Sequence, residues 1–113
     1  GALGIHTGEG YIIIGDYAIV WGANATGDMV WYPTYIDADF ASVLSGSGRT
    51  FSAAPKVIAS TQWNDTPSGT AVISAVTTSI SASQARIYVV VNTTKSIGSV
   101  TVNWIAIGKL STT

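Results

Sequence analysis

The β-branched residues decide what this chain can fold into. Ile and Val abound, Thr is frequent, and Leu occurs only at Leu3, Leu44 and Leu110. Branching at Cβ stiffens the side chain and suits a pleated surface better than a helix. Twelve glycines supply the turns that short strands need. The expected class is all-β. At 113 residues there is room for one core of ordinary size and not for two.

The order of the runs suggests an antiparallel sandwich of about six strands. Residues 1–9 read as a Gly-rich lead-in from an upstream segment, residues 10–110 as the β-sandwich domain, and residues 111–113 as a short tail. Tyr11–Ile14 and Tyr17–Trp21 flank Gly15-Asp16, a hairpin signal because glycine takes the positive φ such a turn demands. From Gly22 to Gly48 the pattern is loose. A strand near Met29–Ile36 would lie at a sheet edge, since Pro33 cannot donate to a ladder. Regular strands then follow over Lys56–Trp63, Thr70–Thr78, Ala85–Asn92 and Ser99–Gly108. In the third of these, Ile87, Val89 and Val91 face one way while Arg86, Tyr88 and Asn92 face the other. In the last, Val100, Val102, Trp104 and Ala106 share a face, and Ile105 and Ile107 stand opposite.

Charge removes whole classes of function. Only 10% of the residues are charged, and the formal net charge is -1. A nucleic-acid partner needs a basic stripe, which five Lys and Arg do not make. No apolar run approaches 18 residues, so membrane insertion by a helix is not expected. Without cysteine there are no disulfides or thiolate metal sites. So uncharged a surface, with strands apolar on both faces, points to burial against copies of the same chain, and we expect a homotrimer.

Catalytic motifs are missing: there is no serine elbow, phosphate-cradling Gly-Lys loop or dinucleotide fingerprint. His6 is the lone histidine, without a second ligand or nucleophile at useful spacing. Asp37 and Asp39 share a strand parity, as a carboxylate pair would, but solvated aspartates are the commoner case. We expect no enzyme activity, no cofactor and no metal.

The candidate binding residues are aromatic and polar. Trp63 precedes Asn64 and Asp65 at a strand end, a composition that suits a sugar stacked on a ring with its hydroxyls held by amide and carboxylate. A second group is Trp31, Tyr32 and Tyr35 beside Asp37 and Asp39, rich in the residues that binding surfaces overuse. Arg86, Tyr88 and Asn92 form a third, along one strand face. Trp21 and Trp104 are read as core, because each sits in an apolar strand.

Two segments carry a resemblance. Gly10–Ile14 followed by Tyr17–Gly22 resembles the opening of the C-terminal receptor-binding domains of phage tail fibres, a short strand, a turn and an apolar strand ending in Trp-Gly. Phe51 through Pro55-Lys56-Val57 resembles a step in the same group. The closing Trp104-Ile105-Ala106-Ile107-Gly108 is similar to the end of the H-type lectins, small six-stranded sandwiches that bind sugars and assemble as trimers. Those lectins place an aromatic before the last strand, and Asn92–Gly98 has none, so their amino-sugar specificity does not carry over. The resemblance implies a receptor-binding fibre tip that recognises bacterial cell-surface carbohydrate and acts outside the cell on the virion. Its alternatives are a structural trimerisation cap or a free-standing, secreted H-type lectin.

Overall fold

A computed structural model describes residues 4–28, 34–63, 73–91 and 98–111. It is a sandwich of two antiparallel sheets. One holds β1 (Ile5–Gly8), β2 (Tyr11–Ile14), β3 (Tyr17–Asp28), β8 (Ser99–Lys109) and β5 (Lys56–Trp63) in that spatial order. The other holds β4 (Thr34–Asp39), β7 (Gln84–Val91) and β6 (Ile73–Thr78). The described residues therefore hold eight strands rather than about six.

Local chemistry explains most boundaries. Ile14 pairs with Tyr17, leaving Gly15 and Asp16 as a two-residue turn. Gly15 has φ +62°, the positive value that a II′ hairpin assigns to its first central residue. Within the expected lead-in, Ile5–Gly8 pairs with β2 as an added edge strand, and Gly15 N–H donates to Gly4 C=O at 2.8 Å. The loose stretch after Gly22 resolves differently from its sequence reading. β3 runs on to Asp28 through a bulge between Ala25 and Asp28, where Gly27 has φ +74°. Asp39 then caps a one-turn helix, α1 (Phe40–Leu44), by accepting from Ser42 N–H at 3.0 Å.

The core lies between the sheets. Val20, Val100, Val102, Trp104 and Ala106 from the larger sheet meet Ile36, Ile87 and Val89 from the smaller one, all buried. Helix α1 inserts Phe40 and Leu44 at the rim, and Phe40 meets the rings of Phe51 and Trp104 edge-on at 5.8 and 5.6 Å. Among the described residues no polar or charged residue is buried, so hydrophobic burial drives this core.

Arg49 fastens one end. Its guanidinium donates to Gly15 C=O at 3.1 Å, to Asp16 Oδ1 at 3.2 Å and to Ser111 C=O at 3.3 Å. Ser111 N–H reaches Thr50 C=O, and Leu110 N–H reaches Asp16 C=O. One side chain thus ties the β2–β3 turn, the middle of the chain and the segment just after β8 together.

Candidate functional site

Alternation places the candidate residues. On β7, Ala85, Ile87 and Val89 point into the core, so Arg86, Tyr88 and Val90 point out. On β4, Ile36 and Ala38 point in, so Tyr35, Asp37 and Asp39 point out. The register sets Tyr35 opposite Tyr88 and Asp37 opposite Arg86. Two groups that were separate in the sequence, one around Tyr35 and one around Arg86, become a single surface. Asp37 and Asp39 both lie within β4.

The geometry of that surface is definite. Arg86 Nε donates to Asp37 Oδ1 at 3.1 Å, and the guanidinium carbon lies 3.9 Å from the centre of the Tyr35 ring. Tyr35 and Tyr88 meet edge-on at 5.5 Å. The ion pair is part-exposed, with side-chain exposures of 37% for Arg86 and 39% for Asp37. Its worth to the fold is accordingly small, and its worth lies in fixing where the guanidinium sits. The hydrogen bond to Asp37 holds Arg86 above its already high ordinary pKa, opposed by partial desolvation and supported by the charge of Asp37. On the β6 side, Val76 stands opposite Tyr88, exposed, and extends the surface with an apolar step that sequence reading did not single out.

The remaining candidates divide. Trp63 ends β5, partly buried and packed against the core. Trp31, Tyr32, Asn64, Asp65 and Asn92 lie outside the described residues. His6 is exposed on β1, stacked near Tyr11 at 6.1 Å between ring centres. Among the described residues no group of three or more metal-ligating side chains converges.

Trp21 needs correcting. It is 43% exposed, not core. Register explains why: Val20 and Gly22 take the inward positions, and Trp21 stands opposite Ile105 on the outer face. An apolar strand with two apolar faces offers no alternation from which to tell its sides. Trp104, by contrast, is buried as expected, its indole N–H donating to Asn24 Oδ1 at 2.9 Å.

Trp21 belongs to a broad apolar surface. Ile14, Tyr17, Ile19, Ile105, Ile107 and Ile58 are all exposed on the same face of the five-stranded sheet, continuous through the β2–β3–β8–β5 register. Between Trp21, Ile58, Ser60 and Asn103 lies a depression of about 310 Å³. Isolated apolar side chains on a surface are ordinary, whereas these form a contiguous patch spanning four strands. The molecule therefore presents two unlike outer faces, one apolar and one aromatic with fixed charges.

No protein-family model matches the chain, and no curated protein matches it. The structure is similar to that of a C-terminal fragment of the R1 pyocin fibre of P. aeruginosa, residues 323–701, with a TM-score of 0.64 at 16% sequence identity. The likeness covers 87% of this chain and 25% of that fragment, so the chain spans about a quarter of the fibre piece it matches. The shared property is the fold, an all-β module found within a tail-fibre fragment.

Proposed function

We propose that this chain is a receptor-binding module of a phage or phage-like tail fibre, one that attaches to bacterial cell-surface carbohydrate without catalysis. The observation that carries the reading is the outward face of β4 and β7, where Tyr35, Tyr88 and an Arg86 pinned by Asp37 converge. Sugars stack their C–H faces on aromatic rings while charged and amide groups hold the hydroxyls. The similarity of fold to a fibre fragment gives such a face a natural setting at the virion tail.

Assembly as a homotrimer accompanies this reading. The outer face of the five-stranded sheet carries enough exposed Ile, Tyr and Trp to be of the order of the ~800 Å² per partner that a stable interface buries. We take its occupant to be another copy of the chain, because Ile, Tyr and Trp dominate the face and its cations, Lys56 opposite Ile107 and Lys109 opposite Tyr17, lie at one end of it. The same face favours a second reading, a structural trimerisation cap that registers an upstream fibre.

A single shallow site of this kind binds near millimolar, about -4 kcal/mol. Three sites on one rigid trimer raise apparent affinity by about 10²–10⁴ where host glycans are dense. The test is a glycan array probed with wild type and Tyr88→Ala, with light scattering on both. Binding by the wild type, lost in a trimeric Tyr88→Ala, supports the receptor-binding reading. A trimer that binds no glycan leaves the cap.

A further inference from the structure

We infer that the β4–β7 face takes an uncharged glycan and rejects acidic sugars, with Asp37 as the residue that sets the choice. This rests on the carbohydrate reading above and narrows it.

A free guanidinium is the natural receptor for a carboxylate or phosphate, because its planar fork offers two parallel N–H donors. Arg86 is not free in that sense. Its Nε is committed to Asp37 at 3.1 Å, and one side of its plane lies 3.9 Å over Tyr35. The positive charge already has a carboxylate partner. Asp39, two residues on along β4 and of the same parity, carries a second negative charge, though its carboxylate is engaged by Ser42 N–H as the α1 cap. The other described cations stand elsewhere: Lys56 and Lys109 belong to the five-stranded sheet, and Arg49 to the clasp at the chain's end. Among the described residues, this face therefore sets one cation against two carboxylates.

An acidic sugar reaching the remaining N–H groups would bring a second anion beside the Asp37 carboxylate, whose charge already balances that of the guanidinium. A neutral sugar leaves the pair intact. Its hydroxyls accept from the remaining N–H groups of Arg86 and donate to the Asp37 carboxylate, whose oxygens have lone pairs beyond the one in use. Tyr88, edge-on to Tyr35, borders the same spot and supplies apolar area. The ion pair thus works as a matched donor and acceptor set rather than as an anion receptor.

The experiment uses the full chain on an array bearing uncharged, uronic-acid, sialylated and phosphorylated saccharides. Wild type should bind uncharged glycans, with a signal nearly flat between about 50 and 200 mM salt, where contacts with an acidic ligand would weaken. Asp37→Asn, an isosteric change at a part-exposed position, releases the guanidinium. It should raise the ratio of acidic to uncharged binding about tenfold or more. If acidic glycans lead the wild-type hits and weaken with salt, or if Asp37→Asn folds and leaves the ratio unchanged, the specificity inference falls while carbohydrate binding stands. If neither protein binds any glycan, the inference falls together with the reading beneath it. The wild-type salt series decides the matter even if the variant fails to fold.

Discussion

Gly22 and Trp104 stand opposite each other across β3 and β8, so close that a Cβ on Gly22 would lie 2.5 Å from the indole Cζ2 and 2.8 Å from Cε2. The glycine is there for space, not for an unusual backbone angle. The indole cannot swing away, because its other side is packed against Phe40 and its N–H is held by Asn24. Gly22→Ala should therefore destabilise by about 1–3 kcal/mol, as overpacking does, and lower the melting temperature by several degrees. An unchanged melt would mean the core has slack at this point.

Trp104→Ala removes the largest ring buried among the described residues. Truncation of this kind costs about 3–5 kcal/mol, a large share of a small domain's stability. The variant should fail to fold at 37 °C or melt far below wild type in circular dichroism. Asn24→Ala removes only the partner of the indole N–H, at an exposed position open to water, and should cost about 1 kcal/mol.

The apolar face is tested by charge. Ile58 is 65% exposed and Ile105 41% exposed, paired across β5 and β8. Ile58→Lys with Ile105→Lys should leave the monomer's secondary structure in place while dissociating the assembly. Light scattering after size exclusion reads the outcome directly. A wild type that runs as a stable monomer at micromolar concentration would defeat the trimer.

Trp63 and Tyr88 offer rival centres for the ligand, and single variants separate them. Tyr88→Ala should lose cell or glycan binding with the melting temperature little changed, since Tyr88 lies on the outer parity of β7. Trp63→Ala should lower the melting temperature, since Trp63 packs against the core. If Trp63→Ala instead stayed stable and lost binding, the site would move to the end of β5.

The Arg86 charge gives a pH expectation. A cation whose folded pKa is raised contributes stability that is complete below its unfolded pKa and is lost only as pH rises through the folded value. For a guanidinium that window lies far above neutrality. Ligand binding should therefore show no titration from Arg86 between about pH 6 and 9. A fluorescence titration across that range checks it, and loss of binding toward pH 9 would speak against Arg86 as the working group.

Much of this was open to reading in the chain itself. The alternation over Ala85–Asn92 and Ser99–Gly108 assigns the inward and outward sets of the described residues correctly, because Arg86 and Tyr88 contrast with the core in the first and Thr101 and Asn103 interrupt the apolar run in the second. The Gly15-Asp16 turn is likewise local. Three features escape such reading for physical reasons. β1 is exposed at all four positions, so it has no buried parity to detect. Helix α1 is a single turn, too short for a 3.6-residue period to show, and only its Asp39 cap hints at it. The union of Tyr35 with Tyr88 depends on a register between strands some fifty positions apart, which no local pattern contains.

The division of labour within each strand of the smaller sheet has a consequence for how such a protein changes over time. Ile36, Ile87 and Val89 hold the fold together, while Tyr35, Arg86 and Tyr88 occupy the intervening positions and hold almost none of it. Substitutions at the second set leave the first untouched, and the apolar face proposed for assembly lies on the other sheet altogether. Under the proposed receptor-binding role, a lineage facing a host that alters its coat could rewrite every second residue of two strands without repacking the interior. In that role host range would drift cheaply on a scaffold that does not.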